Sequence, residues 1–167
     1  MSAELSLNEW VVLALLVERP AHGFALAKQL EAGTDLGRIL TVRRPLVYRA
    51  LDRLAEAGHI VNQQREPGDG GPTRNLFRAA KMSEAMVDRW LVEPVDHVRD
   101  LRVGFLIKLR LSERRGADPH TLVSAQQARL ADALEGLLAR SSDGDVVDRW
   151  RYHNAVAVAA FLDDVSG

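Results

Sequence analysis

One stretch of the sequence constrains the fold more than any other: RRPLVYRALDRLAEAGHI, residues 43–60. Its apolar residues recur at helical spacing, which predicts a helix with one side packed into a core. Pro45 suits the first turn of this helix, and Gly58 suits its end. The core-facing positions are Val47, Ala50, Leu51 and Leu54. The opposite side of the helix is therefore exposed.

The exposed side of this predicted helix is rich in arginine. It presents Arg49 and Arg53 beside Tyr48. Arg43 and Arg44 lie at the N-terminal end, where the helix dipole favours an anion. An arginine-rich helix face is commonly just solvated surface, so the helix alone does not establish a binding site. The surrounding sequence has to decide between the two interpretations.

Charge is distributed unevenly along the 167 residues. The net charge is −1, but residues 38–81 hold nine basic and four acidic groups, an excess of +5. Residues 1–37 and residues 82–167 each carry a net charge of −3. A local basic segment is the electrostatic footprint of a phosphate-binding surface. The middle segment is therefore a candidate phosphate-binding surface, of the kind that binds double-stranded DNA.

Two predicted helices precede the arginine-rich one. Ser6 lies three residues before Glu9, which is the spacing of a capping box, and an apolar run follows. Pro20 ends this first helix. The stretch HGFALAKQLEAG predicts the second helix, with Phe24 on its apolar side and Gly33 as the residue that follows its end.

Two short β-compatible segments follow the arginine-rich helix. IVNQQRE and TRNLFRAA are separated by the turn-forming residues PGDGG, which predicts a hairpin. Arg65, Arg74 and Arg78 lie along it. Three helices followed by a two-stranded hairpin form a winged helix, in which the third helix enters the major groove and the hairpin reaches the adjacent backbone.

These stretches resemble the PadR-like family of transcriptional regulators. LLVERPAHGFALAKQL is similar to the family's apolar helix, proline, His-Gly-aromatic turn and second helix. LVYRALDRLAEAGHI is similar to its Leu-Tyr-Pro-x-Leu-x-x-Leu-x-x-x-Gly-x-Ile run, and Gly70, Gly71 and Arg74 are similar to its Gly-Arg-rich wing. The resemblance covers the first half of the chain and implies a DNA-binding regulator. Arg49 replaces the proline that commonly follows the tyrosine, so no operator sequence is carried over.

The second half of the chain predicts further helices and no strand. A linking helix ends at Pro94, and one of the three later segments opens with Asp118 as N-cap and Pro119 at the first helical position. RDLRVGFLIKLRL is similar to the C-terminal domain of the longer PadR-like regulators, which implies an antiparallel, two-fold dimer. These helices are also too apolar to stand alone, and self-association would cover them.

The predicted fold is mainly α. It consists of an N-terminal winged helix-turn-helix domain, residues 1–80, with three helices and a β-hairpin wing. A C-terminal helical dimerisation domain, residues 81–167, follows. Trp90 and Trp150 fall in the linking and C-terminal helices. Aromatic walls suit a flat apolar effector bound between protomers, although single tryptophans on amphipathic helices are commonly core or interface residues.

Other functional classes receive little support. The chain has no cysteine, and its five histidines show no i, i+4 pair, so neither a metal site nor another cofactor is expected. Catalytic fingerprints are absent, so the protein is not expected to be an enzyme. No apolar run is long enough to span a membrane and no signal peptide is recognisable, which favours the cytoplasm.

The interpretation favoured by the sequence is a homodimeric, DNA-binding transcriptional regulator, a repressor, that binds an inverted-repeat operator and whose affinity a small aromatic effector could modulate. Two alternatives stay open: a winged-helix protein-interaction or oligomerisation module without DNA binding, and a small-molecule carrier built on the helical dimer. The predicted DNA contacts are Arg43, Arg44, Tyr48, Arg49 and Arg53 on the third helix, and Arg65, Arg74 and Arg78 on the wing.

Overall fold

The computed structural model describes residues 5–66, 74–139 and 144–166, with the backbone alone at residues 63–66 and 74. The chain divides into two compact units between Trp90 and Leu91. This division falls later than the predicted boundary at residues 80 and 81, because the linking helix contributes Trp90 to the first unit. The functional domain boundary stays a prediction.

The first unit has the order of elements that a winged helix requires. Its helices are α1 (Leu7–Glu18), α2 (Gly23–Gln29), α3 (Arg44–Glu56) and α4 (Lys81–Val92), of which α4 runs to the boundary and two residues past it. Its strands are β1 (Ala21–His22), β2 (Ile60–Glu66) and β3 (Arg74–Ala79).

Helix α1 is the buried centre of the first unit. The predicted capping box is confirmed: the Glu9 N–H donates to Ser6 Oγ at 3.4 Å, and the Ser6 N–H donates to Glu9 Oε2 at 2.7 Å. All residues from 11 to 16 are buried, because α3 and β3 both pack on this helix. Trp10 stacks on Trp90, with ring centroids 5.2 Å apart and planes at 3°.

Helix α2 differs in two respects from the prediction. It ends at Gln29 with Leu30 as C-cap, so Gly33 lies beyond the helix end, in the connection to α3. Phe24 is 56% exposed, and the prediction that it faces the core is wrong. The buried side of this helix consists of Leu26 and Ala27.

Helix α3 has the predicted pattern of burial and the predicted ends. Its four core-facing residues are buried, and Pro45 lies in the first turn. Gly58 has a φ of +74°, which a residue with a side chain rarely adopts. The Gly58 N–H donates to Ala55 O at 3.0 Å, and the His59 N–H donates to Leu54 O at 2.9 Å. These two bonds form a Schellman motif, which satisfies carbonyl groups at the helix end.

The sheet contains one more strand than the sequence predicted. β2 and β3 form the expected antiparallel hairpin, and β1 pairs antiparallel with the other side of β3, which gives the order β1-β3-β2. Ala21 is opposite Phe77, and His22 is opposite Leu76. β1 has two residues, so no alternating pattern in the sequence could reveal it.

The described part of the second unit contains helices and no strand, as predicted. A 3₁₀ turn (Val98–Asp100) and a π-helical turn (Leu101–Phe105) lead into α5 (Leu106–Arg114), and α6 (His120–Leu138) and α7 (Val146–Asp164) follow. Asp118 Oδ1 accepts from the His120 N–H at 2.9 Å, so it caps α6 although the helix begins one residue later than expected.

The core of the second unit is formed where α6 packs on α7 and on the 3₁₀ turn Val98–Asp100. Three side chains from α5 and α6 also hold the segment that enters the unit. Lys108 Nζ donates to Glu93 O at 2.6 Å, and Arg129 Nε donates to Asp96 Oδ1 at 2.8 Å. The buried amide of Gln126 bonds to both backbone groups of Val95, at 2.8 and 2.9 Å.

Candidate nucleic-acid interface

The solvent side of α3 carries the residues that the sequence assigned to DNA contact. Arg43, Arg44, Tyr48, Arg49 and Arg53 are all exposed, and Arg43 precedes the first residue of the helix. In the described ranges of the chain, neither Arg43 nor Arg49 has an acidic partner within salt-bridge distance. Two guanidinium groups on this surface are thus available to an external anion.

Arg44 lies over two aromatic rings. Its Cζ atom is 5.1 Å from the centroid of Phe24, which belongs to α2, and 5.7 Å from the centroid of Tyr48, one turn further along α3. Gly23 permits this packing, because a Cβ atom at that position would lie 2.9 Å from Tyr48 Cε1. The exposed Phe24 therefore belongs to the candidate interface, a role that the sequence analysis did not assign to it.

Arg53 has a structural partner that the sequence analysis did not predict. Its Nη1 atom donates to Oε1 of Glu9 at 3.3 Å, and the Glu9 side chain is 6% exposed. Burial on its own would raise the pKa of Glu9, but hydrogen bonds from Ser6 and Arg53, with the Arg53 charge, leave this pKa below its ordinary value. Arg53 thus joins α3 to α1, and its contact with DNA stays a prediction.

The hairpin is described along its strands. Arg78 is exposed on β3, opposite Val61. The backbone places Arg65 opposite Asn75 and Arg74 opposite Glu66 in the ladder. The side chains of Arg65 and Arg74 and the turn that contains Gly70 and Gly71 lie outside the described residues. Their predicted contacts with DNA therefore stay predictions.

A histidine links the start of α2 to the beginning of strand β3 of the hairpin. His22 Nδ1 lies 3.1 Å from the carbonyl oxygen of Asn75, and its backbone forms part of β1 immediately before α2 begins. The segment before α2 and the strand that carries Arg78 are thus joined through both backbone and side chain.

Comparison with protein families identifies the first unit. Residues 12–82 match the family described as Transcriptional regulator PadR-like family, a range that runs from within α1 through the hairpin to the start of α4. These residues form a PadR-like domain. The family is one of transcriptional regulators, and the PadR-like domain contains α3 and every predicted DNA-contact residue of the chain.

A solved structure with a similar fold covers nearly the whole chain. The crystal structure of Bacillus subtilis PadR in complex with operator DNA matches with a TM-score of 0.52 and 14% identity, over 96% of this chain and 98% of that one. The crystal structure of smu.1604c from Streptococcus mutans UA159 matches with a TM-score of 0.47 and 14% identity, over 93% and 96%. No curated protein matches the sequence.

The two tryptophans of the predicted effector site have different environments. Trp90 is 6% exposed and stacks on Trp10 in the unit that holds the PadR-like domain. Trp150 on α7 is 71% exposed and lines an apolar cavity of about 370 Å³ in the second unit, together with Leu101, Leu106 and Phe161. Trp90 is not among the residues that line this cavity, and a joint effector site at the two tryptophans stays a prediction.

Two further features of the described residues bear on function. No group of three or more histidine, aspartate or glutamate side chains among them could hold a metal ion. No helix in these same ranges combines the length and the apolar character needed to cross a bilayer.

Proposed function

We propose that this protein is a cytoplasmic, DNA-binding transcriptional regulator. Helix α3 lies in the major groove and the hairpin follows the adjacent phosphate backbone. The observation that carries the proposal is the row of exposed arginines on α3 of a PadR-like domain. The shared fold with Bacillus subtilis PadR, whose structure was determined with operator DNA, supports it.

The exposed arginines divide between two kinds of contact. Arg43, Arg49 and Arg78 are solvent-exposed side chains that suit phosphate groups, which receive most protein–DNA hydrogen bonds. Arg44 and Tyr48 lie at the N-terminal half of α3, the part that reaches base edges in helix-turn-helix proteins. We assign groove contacts to these two residues and wing contacts to Arg78 together with Arg65 and Arg74.

The protein acts as a homodimer in this proposal, and α7 supplies the argument. Only Ala155 and Leu162 of its 19 residues are buried in the chain. The side chains of Val146, Val147 and Trp150 are 76%, 48% and 71% exposed. So much apolar surface on one helix is typical of an association surface, and a second copy of the chain would cover it in a two-fold arrangement.

A two-fold dimer presents two copies of α3 in opposite senses, so we propose an inverted-repeat operator. Its half-site centres should be about 10 or 20 base pairs apart, one or two helical turns, because both helices must enter the groove on one face of the duplex. A dimer that covers a promoter excludes polymerase, and we therefore assign repression as its action.

A small, flat, apolar effector remains part of the proposal. The cavity beside Trp150 has the volume of a small-molecule site, and its walls are mainly apolar. Planar aromatic compounds should quench the fluorescence of Trp150 and alter operator affinity together, since an effector must couple the two events. A Trp150→Phe variant isolates this signal from Trp10 and Trp90. Quenching without any change in operator affinity would remove the effector from the proposal.

The deciding experiment uses the purified full-length protein and the DNA immediately upstream of its own gene. Gel-shift titrations across a series of salt concentrations should show specific binding that weakens as salt rises. Arg49→Ala should weaken binding, whereas Arg89→Ala, which removes the same charge from the exposed side of α4, should not. If the protein binds neither this DNA nor any sequence from a random pool, the protein-interaction alternative is favoured.

A further inference from the structure

The side chain of Arg44 packs against two aromatic rings, and among the described residues no acidic group lies within salt-bridge distance of it. The Phe24 and Tyr48 rings lie 5.1 and 5.7 Å from its Cζ atom, and they come from two different helices. Phe24 is 56% exposed and Tyr48 is 39% exposed, so the aromatic pair and the arginine share one solvent-facing surface.

An aromatic partner leaves the N–H donors of an arginine available for hydrogen bonds, whereas a carboxylate partner does not. Contact with a ring face involves the face of the guanidinium or its charge, whereas the N–H donors point outward in the guanidinium plane. A carboxylate would occupy those donors. Arg44 is therefore restricted in position while its hydrogen-bonding edge stays available, which lowers the entropy cost of making a directed contact.

The location of Arg44 specifies the contact. It is the first residue of α3, and the N-terminal residues of a recognition helix reach base edges in the major groove. The bidentate partner of arginine there is guanine, through O6 and N7. Arg43 and Arg49 are also exposed. Within the described residues, neither of them forms a cation–π interaction with Phe24 or Tyr48.

We propose that Arg44 reads a guanine in the major groove and that Phe24, with Tyr48, is a positioning residue that fixes this arginine for the bidentate contact. This inference rests on the proposed DNA binding and adds the residue that specifies a base, the base that it specifies and a part in recognition for α2. Arg43 and Arg49 contribute affinity without sequence preference.

The first test measures preference at single base positions. A binding site is selected from random duplexes with the wild-type protein, and each position is then varied in fluorescence anisotropy titrations. Discrimination for one G·C pair in each half-site should be about 5- to 150-fold in the wild type. Arg44→Lys keeps the charge but not the fork, so it should abolish most of that discrimination and leave the other positions unchanged.

The second test asks whether Phe24 acts through Arg44. Phe24→Leu stays apolar but removes the ring face, and it should lower discrimination at the same G·C pair by about 2- to 5-fold. Phe24→Tyr retains the face and should behave as the wild type does. If the role of Phe24 were merely structural, Phe24→Leu would weaken binding to all sequences alike. Its unfolding temperature, measured by thermal unfolding of each variant, would then fall as well.

The outcomes separate this inference from the proposed function. If the wild type selects a sequence but Arg44→Lys weakens every duplex equally, Arg44 contacts phosphate and the inference is overturned while DNA binding stands. If Phe24→Leu leaves the pattern of base preference intact, the positioning role is overturned. Failure of the wild type to bind any DNA would overturn both proposals.

Discussion

Arg53 on α3 donates a hydrogen bond to Glu9 on α1 across 3.3 Å, from Nη1 to Oε1. The bond joins the helix proposed to read DNA to the central helix of the first unit. Glu9 also accepts from the Ser6 N–H, so one buried carboxylate caps α1 and anchors α3. The bond therefore ties α3 to the first turn of α1.

Arg53→Ala should destabilise the first unit by about 1 kcal/mol, a value reduced by the 56% exposure of the Arg53 side chain. Urea unfolding measures this loss. Arg49→Ala is the matched control, since it removes an arginine from the same exposed side of α3 and should stay within about 0.5 kcal/mol of the wild type. Equal stability of the two variants would show that the bond to Glu9 contributes nothing measurable.

The same bond predicts a dependence on pH. Because the folded-state pKa of Glu9 is lowered, its carboxylate contributes stability that is complete above the unfolded value of about 4.3 and is lost as pH falls through the folded value. The difference in stability between wild type and Glu9→Gln should be constant above about pH 5 and should narrow in more acidic solution. A difference that widened there would contradict the lowered pKa.

The phosphate contacts can be counted from salt dependence. Arg43→Ala and Arg49→Ala should each reduce the slope of log K against log salt by about one, with similar effects on every duplex. Arg89→Ala should leave the slope unchanged. Two variants with the slope of the wild type would exclude Arg43 and Arg49 from contact with the phosphate backbone.

Gly23 should tolerate no side chain without a change at the interface. A Cβ atom there would lie 2.9 Å from Tyr48 Cε1 and 3.2 Å from Leu51 Cδ1, so Gly23→Ala must displace the tyrosine ring. We expect a loss of about 1–3 kcal/mol in stability from overpacking, together with weaker DNA binding. Tyr48→Ala in the same background should recover part of the stability. If it recovers none, the contact with the ring is not the cause.

Dimerisation can be separated from folding with a shortened chain. A protein that ends at Val92 keeps the stack of Trp90 on Trp10 and should remain folded, but it should sediment as a monomer. Its operator affinity should fall by about 10²- to 10⁴-fold, because the second half-site is no longer bound at high effective concentration. A monomeric full-length protein would refute this role for the second unit.

Local signals predicted the elements whose cause is local. The capping box at Ser6, the apolar spacing of α3 and the glycine at the end of α3 depend on residues within a few positions of one another, and each was confirmed. The hairpin could be predicted equally well from the sequence, because two short β-compatible segments flank turn-forming residues. The exposed side of α3 followed from its buried side without further information.

The remaining features depend on partners far apart in the sequence. The Glu9 bond to Arg53 and the stack of Trp10 on Trp90 join different helices, so helical periodicity carries no trace of them. Phe24 was assigned to the core because it is apolar, whereas its neighbour in space is Arg44. The family-like HGF stretch was a signal that this residue differs from an ordinary core position.

The two-residue strand β1 has a consequence for protein engineering. Ala21 and His22 pair with Phe77 and Leu76, and His22 directly precedes α2. The hairpin therefore cannot be exchanged without affecting the start of α2. An exchange of residues 60–79 for the wing of another regulator would remove the strand partner of the α2 entry. In a chimeric regulator derived from this chain, residues 21–22 and the wing should therefore be taken together from the same parent protein.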